Sequence, residues 1–142
     1  MTLYFAYGSN MCQEQMDKRC PGHRMVGGGV LRRYRWIISA RGYANVVKSP
    51  TDAVYGVIYE ISTTDEERLD RYEGVKSGSY ARKHLDVEVN GSPEICLVYV
   101  DPVTDEGVPG KEYIDRINRG IEDARLPQKY VEESIRKFLP GP

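Results

Sequence analysis

The first ten residues contain a segment whose residue types suit the binding of an anion. Residues 4–10 read Tyr-Phe-Ala-Tyr-Gly-Ser-Asn, a pattern that predicts a buried strand stopping at Gly8 and running into a helix. Asn10 is expected to cap that helix, with Gln13 three residues later in a variant of the capping-box spacing. Free backbone N–H groups at a helix start favour a carboxylate or a phosphate, and glycine lets a ligand approach the main chain. A capped helix that binds nothing would show the same spacing.

A glutamate after the segment Ser62–Tyr72 is the second candidate for chemistry. The segment predicts a short helix, because it has capping-box spacings that begin at Thr63 and at Thr64, and Gly74 is a suitable stop. Glu73 would then lie at the carboxyl end of the helix, where the helix dipole disfavours an anion. Partial burial would also raise its pKa toward the working range of an acid/base. Taken alone, the same residue also fits a solvated glutamate beside a turn.

Two strings in this chain together resemble the γ-glutamylcyclotransferase family. One is the Tyr-to-Asn string at residues 4–10, and the other is Glu-Gly-Val-Lys-Ser-Gly-Ser-Tyr at residues 73–80. Between them, Ser-Pro at residues 49–50 followed by Val-Tyr-Gly-Val-Ile-Tyr at residues 54–59 is similar to the central strand of the family. The resemblance extends to Val100 and is weak beyond it.

The resemblance implies an enzyme that needs neither a metal nor a cofactor. In this family the α-amine of a γ-glutamyl amide attacks its own γ-carbonyl, which releases 5-oxoproline and a free amino acid or amine. Glu73 is implied to be the catalytic acid/base, and Tyr99 on a later strand is implied to contact substrate. The implied substrate-binding loop consists of Tyr4, Phe5, Ala6, Tyr7, Gly8 and Ser9. Tyr7 and Asn10 could instead brace that loop.

The chemistry of this reaction suits the residue types. One carboxylate between the two nitrogens can take the proton of the attacking amine and return it to the leaving amine. Backbone N–H groups around Gly8, Ser9 and Asn10 are suited to anchor the α-carboxylate of the substrate. Because the attack is intramolecular, much of the rate gain can come from orientation.

Three other functions remain open at the level of sequence. The first is a γ-glutamylamine cyclotransferase, which releases an amine such as a lysine side chain or a polyamine. The second is a non-catalytic module that keeps the loop to bind a γ-glutamyl or carboxylate ligand, and the third is a nucleic-acid-binding domain. The leaving group is not named by the motifs, and segment 101–127 is where its pocket is expected.

Whole-chain properties favour a cytoplasmic protein made of a single domain, residues 1–142, and the resemblance implies that it is an enzyme with a γ-glutamyl small molecule as its substrate. The net charge of −1 gives no attraction to nucleic acid or to an anionic membrane, and no apolar run has the length of a membrane span. The three cysteines are expected to be reduced thiols, since their spacing fits neither a zinc site nor a disulfide framework. A homodimer is left open, because the last helix could pack on its own sheet or on a partner.

The remaining pattern predicts an α+β fold. Alternating or β-branched runs predict strands, and two stretches with helical spacing follow them. The Asn-Gly pair at residues 90–91 predicts a tight hairpin. The predicted elements are strands at residues 34–40, 53–61, 79–89 and 94–100, and helices at 111–124 and from Pro127. The resemblance adds that the mixed sheet is small, strongly bent and close to a barrel.

Two further segments receive structural interpretations. The three glycines at residues 27–29 lack the following Lys-Ser/Thr of a phosphate-binding loop, so a flexible connection is expected there. Arg33 and Arg35 are expected on a solvated sheet face, opposite Tyr34 and Trp36, rather than on an RNA-binding surface.

Overall fold

Five strands and four helices make up the fold, which a computed structural model describes over all residues, Met1–Pro142. The elements are β1 Thr2–Ala6, α1 Gln13–Arg19, β2 Arg24–Ile38, β3 Ala44–Ile61, α2 Thr63–Tyr72, β4 Ala81–Val89, β5 Ser92–Val100, α3 Lys111–Ala124 and α4 Gln128–Tyr130, which continues with π-helical geometry over Val131–Ile135. The strands close into a barrel in the order β1–β3–β2–β4–β5. The α+β class and the bent, barrel-like mixed sheet are therefore confirmed.

The barrel closes because β1 pairs on both of its edges. It runs antiparallel to β3, with Tyr4 opposite Tyr59, and parallel to β5, with Tyr4 opposite Leu97. β4 and β5 form the predicted hairpin, in which Asn90 and Gly91 have φ angles of 53° and 82°. Two successive positive φ angles match the right-handed twist of the strands, which is why Asn-Gly is favoured there.

The glycine run at residues 27–29 lies inside β2, so the expectation of a flexible connection is wrong. These glycines pair with residues 56–58 of β3. A Cβ on Gly29 would lie 2.7 Å from Cδ1 of Ile58 and 3.1 Å from Cγ1 of Val87, so the glycine leaves room for these two buried side chains. A cluster of glycines suggests flexibility in the sequence, whereas here all three are in a paired strand and Gly29 permits close side-chain packing.

A β-bulge interrupts the alternation expected in β2. Arg33 has a φ angle of 67°, and the register with β3 shifts between Arg32 and Tyr34. Arg33 is exposed as expected, but Arg35 is half-buried, and the three consecutive residues 36–38 are all buried. The burial of β2 therefore does not alternate with a two-residue period, because the bulge shifts the register and both faces of the sheet are covered at residues 36–38.

The helix starts differ from those expected for α1 and α2. Residues Ser9–Met11 form a 3₁₀ turn, and α1 follows from Gln13 with Cys12 at its N-cap and no side-chain cap. Asn10 is therefore not a cap but a buried residue. In α2 the cap is Ser62, whose hydroxyl accepts from the backbone N–H of Asp65, so the cap lies one residue before Thr63, the first of the two predicted caps. No helix in the structure combines the length and the apolar character needed to cross a membrane.

The last helix packs on the barrel of its own chain. Tyr130, Val131, Ile135 and Leu139 are buried in one hydrophobic cluster with residues of the sheet such as Trp36. This contact answers the question that the sequence left open about the packing of the helix.

The three cysteines are free and buried.

Candidate active site

A cavity of about 330 Å³ lies where the amino-terminal segment, the β2–β3 turn, the end of α2 and the first turns of α3 meet. Its walls are rich in tyrosine, since seven of the eleven tyrosines in the sequence line it. The predicted site residues that line it are Tyr4, Tyr7, Gly8, Ser9, Glu73 and Tyr99. The fold thus brings together two sequence strings that are more than sixty positions apart.

Phe5 and Ala6 belong to the predicted loop but do not line the cavity. Both are buried, and strand alternation directs Phe5 into one hydrophobic cluster while Ala6 and Tyr4 lie in the other. Their side chains therefore support the loop from within the core instead of facing a ligand.

Glu73 is held at the cavity by the way α2 ends. It occupies the C-cap position, and the next residue, Gly74, has a φ angle of 65°. The N–H of Gly74 donates to the carbonyl of Arg71 and that of Val75 donates to the carbonyl of Asp70, the two bonds of a Schellman motif. Because both bonds fix the backbone around Glu73, its carboxylate has a defined place in the cavity wall.

Burial raises the pKa of Glu73 to about 7. A carboxylate loses favourable hydration in such a place, so its protonated form is favoured. The positive charges of Arg19 and Arg41 oppose the shift without cancelling it. The direction matches the sequence-based expectation, and the value lies where a group can both accept and donate a proton near neutral pH.

Asn10 links the amino-terminal segment to this carboxylate. Its side-chain amide donates to the hydroxyl of Tyr4 at 2.9 Å and lies 3.4 Å from Oε1 of Glu73. Its Oδ1 accepts from Gln15 at 2.8 Å and from Arg19 at 3.2 Å. These acceptor contacts fix which end of the amide faces Glu73, so the amide presents a donor to the ionised carboxylate.

Backbone N–H groups in the same segment lack acceptors within the protein. In the 3₁₀ turn, Met11 and Cys12 donate to the carbonyls of Gly8 and Ser9, but the N–H groups of Gly8, Ser9 and Asn10 make no such bond. Gly8 also allows close packing, since a Cβ there would lie 3.1 Å from Cβ of Ala44. The segment thus has free N–H donors, although the turn is 3₁₀ rather than a capped α-helix, and anion binding there stays a prediction.

The tyrosines that the resemblance singled out are tied to the barrel through their hydroxyl groups. Tyr7 donates to the carbonyl of Tyr99 at 2.5 Å, and the hydroxyl of Tyr99 donates to Asp70 at 2.6 Å. Asp70 in turn accepts two bonds from Arg82. The rings of Tyr7 and Tyr99 line the cavity, while their hydroxyl groups hold its walls in place.

The cavity is also lined by three arginines, which the sequence analysis did not identify as site residues. Arg19 lies with its guanidinium 4.7 Å from the ring centroid of Tyr72, and Arg116 donates to Gln15 and Glu112. Arg41 is in the β2–β3 turn and pairs with Asp101. No local pattern signals these positions, because each arginine faces the cavity only after distant segments have packed together.

The titratable side chains at the cavity suit acid/base and anion-binding chemistry. No group of three or more His, Cys, Asp or Glu side chains is arranged to hold a metal ion. A single carboxylate, several guanidinium groups and free N–H donors can bind a carboxylated ligand and move a proton on it.

A closed mixed barrel with one half-buried glutamate at a tyrosine- and arginine-lined cavity defines the class of this protein. The family model described as the AIG2-like family matches residues 53–133. γ-Glutamylcyclotransferases of Mus musculus and Homo sapiens are 32% and 30% identical to this chain, over 92% of the chain and 76% of each relative. A solved structure of a γ-glutamyl cyclotransferase superposes with a TM-score of 0.88 at 27% identity, covering 99% of this chain and 89% of the other.

The chain belongs to the γ-glutamylcyclotransferase family and is an enzyme of this type. Its cyclotransferase function therefore follows from these relationships and from the shared fold.

Proposed function

We propose that this protein is a cofactor-independent γ-glutamyl cyclotransferase in which Glu73 is the general acid/base. The substrate α-amine attacks the γ-carbonyl of the same γ-glutamyl unit and forms the C–N bond of 5-oxoproline. The amide C–N bond then breaks, and an amino acid or amine leaves. One observation carries this proposal, namely the half-buried carboxylate of Glu73 at the cavity with its pKa raised to about 7.

Glu73 is suited to both proton transfers. As a carboxylate it accepts a proton from the substrate ammonium group, which leaves the neutral amine as the nucleophile. As a carboxylic acid it returns that proton to the leaving nitrogen when the tetrahedral intermediate collapses. A pKa near 7 keeps both protonation states accessible, whereas an ordinary solvated glutamate would be a poor acid at this pH.

The α-carboxylate of the substrate is proposed to bind at the amino-terminal segment. The N–H groups of Ser9 and Asn10 supply donors, and Arg19, which bonds to Asn10, adds a positive charge. Since the α-carboxylate and the α-amine share one carbon, an anchor beside Asn10 places the amine near Glu73, the other neighbour of that amide. Such an anchor also favours the bent substrate conformation that the five-membered ring requires.

Negative charge develops on the γ-oxygen during the attack. Guanidinium groups and the free N–H of Gly8 line the cavity and can stabilise this negative charge. All of them are partly screened from water, which strengthens the interaction. Fixed donors in such an environment cost no reorganisation during the reaction, so they stabilise the transition state more than water does.

The same proposal covers the whole chain as one catalytic domain, residues 1–142, working in the cytoplasm. Support for a single catalytic unit comes from the cavity, whose walls are drawn from segments between Tyr4 and Arg116. Removing any one of these segments would open the site.

Release of 5-oxoproline from γ-glutamyl compounds tests the proposal. The panel contains γ-glutamyl amino acids, γ-glutamylamines including γ-glutamyl-lysine, and glutathione, each with wild type and with Glu73→Gln. We expect turnover by wild type and a loss of at least about a thousandfold in the variant, since one group performs both proton transfers. Glu67→Gln is the matched control, because Glu67 is an exposed glutamate of the same helix.

Two results would contradict the proposal. Full turnover by a folded Glu73→Gln variant would exclude Glu73 as the acid/base. Saturable binding of γ-glutamyl compounds without release of 5-oxoproline by wild type would instead indicate a non-catalytic binding module.

A further inference from the structure

Arg41 is a guanidinium group fixed at the cavity wall. Its Nη1 donates to Oδ2 of Asp101 and to the carbonyl of Ser79, both at 3.0 Å. The guanidinium carbon lies 5.6 Å and 5.9 Å from the ring centroids of Tyr80 and Tyr43. These contacts come from three different segments, so the side chain is held in one orientation.

The partner of Arg41 is itself immobile. The side chain of Asp101 is fully buried and also accepts from the hydroxyl of Ser39 and from the N–H of Val103. Asn45 bonds to both the N–H and the carbonyl of Asp101. A buried carboxylate with this many donors cannot move, so it holds the guanidinium group of Arg41 in one position.

The other side of the guanidinium has free donors. Neither Nε nor Nη2 of Arg41 bonds to any acceptor in the protein, while the residue lines the cavity. Nε–H and one N–H of Nη2 form the planar fork that binds the two oxygens of a carboxylate. The bonds made by Nη1 thus leave Nε and Nη2 free to bind a carboxylate in bidentate fashion.

We propose that Arg41 binds the carboxylate of the leaving amino acid and makes the enzyme select γ-glutamyl amino acids over γ-glutamylamines. The inference rests on the proposed function and adds a residue that determines specificity at the same site.

The arrangement of the cavity assigns Arg41 to the leaving group and not to the γ-glutamyl unit. Donors for the α-carboxylate cluster around Asn10, together with Arg19. Arg41 belongs to another wall, formed by the β2–β3 turn and by Ser79 and Tyr80. With the reacting atoms at Glu73, the two carboxylates of a γ-glutamyl amino acid fall on different walls.

Charge balance supports the same assignment. Glu73 is the only acidic side chain that lines the cavity, together with Arg19, Arg41 and Arg116. A γ-glutamylamine brings one carboxylate to these groups, whereas a γ-glutamyl amino acid brings two. The charge of Arg41 is already paired with Asp101, but a cationic amine, such as the second amine of a diamine, offers no acceptor to the free N–H groups of Arg41.

Two substrates that differ by one carboxylate test the inference. γ-Glutamyl-L-alanine and γ-glutamylethylamide have the same carbon skeleton except for that group, and kcat/KM is measured for both from 5-oxoproline release. Removing Arg41 takes a positive charge from the surroundings of Glu73, so rates are compared at a pH where Glu73 is ionised in each variant.

Arg41→Gln is expected to lower the preference for γ-glutamyl-L-alanine over γ-glutamylethylamide by about 10- to 100-fold, which is the contribution of a charge-assisted bidentate contact. The loss should appear mainly in KM for the alanine compound. Arg41→Lys retains a charge for Asp101 but lacks the fork, and it should lower the preference several-fold. Arg32→Gln is the control, since Arg32 pairs with Glu88 outside the cavity and its loss should leave the preference unchanged.

Each other outcome overturns the inference. An unchanged preference in Arg41→Gln, or in Arg41→Lys if the glutamine variant does not fold, excludes a contact with the leaving carboxylate. An equal loss on both substrates assigns Arg41 to the γ-glutamyl part that they share. Equal activity of the wild-type enzyme on both compounds would exclude the role of Arg41 in selectivity but not the cyclotransferase function. Absence of 5-oxoproline release from both compounds by wild type would contradict the proposed function itself.

Discussion

The side-chain amide of Asn10 lies 3.4 Å from the carboxylate of Glu73, across sixty-three positions of the chain. The same amide nitrogen donates to the hydroxyl of Tyr4 at 2.9 Å, so it joins the segment with free N–H groups to the proposed acid/base. A donor facing the carboxylate favours its ionised form, in the same direction as the positive charges of Arg19 and Arg41, which oppose the rise in the pKa of Glu73 that burial causes. Asn10 is therefore a positioning residue whose effect can be measured through Glu73.

Asn10→Asp is expected to move the rising limb of the pH–rate profile to higher pH. A carboxylate in place of the amide adds a like charge and removes a donor, and both changes raise the pKa of Glu73. We expect kcat/KM at pH 7 to fall by at least about tenfold, with partial recovery at higher pH. Asn118→Asp, a half-buried asparagine outside the cavity, is the control and should leave the limb in place. An unshifted limb in Asn10→Asp would contradict this role.

For the wild-type enzyme, kcat/KM should rise with pH through a limb near pH 7, because Glu73 must be ionised to accept the first proton. A limb near pH 4.5 would show that a solvated carboxylate, not Glu73 in this environment, is the base. The profile is measured with saturating and with limiting substrate to separate the free enzyme from the complex.

Glu73→Gln should make the protein more stable at neutral pH. The folded pKa of about 7 exceeds the ordinary value of 4.5, so between these values the unfolded chain has lost a proton that the folded chain keeps. The free energy of unfolding therefore falls as pH rises through this window and stays lower above pH 7. Because Glu73 is only part-buried by surface area, we expect the variant to gain about 1 to 3 kcal/mol there. Denaturant unfolding at pH 4 and pH 8 measures this, and an equal gain at both pH values would contradict the linkage.

Gly74→Ala should damage the site more than Gly78→Ala does. Both glycines have positive φ angles, 65° and 83°, so alanine strains the backbone by about 1 kcal/mol at each. At Gly74 the new Cβ would also lie 2.9 Å from the side chain of Ser79, while at Gly78 it would meet nothing within 4 Å. We expect kcat to fall at least tenfold only in Gly74→Ala, because only this change displaces Glu73. Thermal melting and turnover of the pair provide the measurement, and similar losses of kcat would count against a need for this helix end.

Tyr99→Phe should cost stability with little effect on turnover. The change removes the hydroxyl that donates to Asp70 at 2.6 Å but keeps the ring at the cavity. We expect a loss of about 1 to 2 kcal/mol in unfolding free energy and a kcat within about threefold of wild type. A loss of kcat of a hundredfold or more would show instead that the hydroxyl takes part in the reaction.

Short-range features of the fold were predictable from the sequence. The helix α3 has the predicted bounds of 111 and 124, and Asn90-Gly91 forms the predicted turn. The end of α2 at Glu73 and Gly74 was also predicted. Each of these depends on backbone preferences within a few residues, which the residue types alone determine.

Features that depend on contact between distant strands were not predictable in this way. Glycines 27–29 lie in β2, paired with β3, where Ile58 packs against Gly29, and the bulge at Arg33 breaks a regular alternation. Asn10 was expected to cap a helix, but it is buried with Tyr4 and Glu73 instead. In each case a tertiary contact outweighs a local preference of smaller energy.

The candidate site divides along the same line. The sequence by itself determined the strand that stops at Gly8, the glutamate at the end of α2 and the family resemblance that connects them. Motifs and helix ends depend on adjacent residues, so they can be recognised without the tertiary structure. Only the tertiary structure decided that Phe5 and Ala6 face the core and that Arg41 lines the cavity, held there by Asp101, sixty positions away. The physical reason is that burial raises the pKa of Glu73 and that packing orients Arg41, and both arise only when the barrel closes.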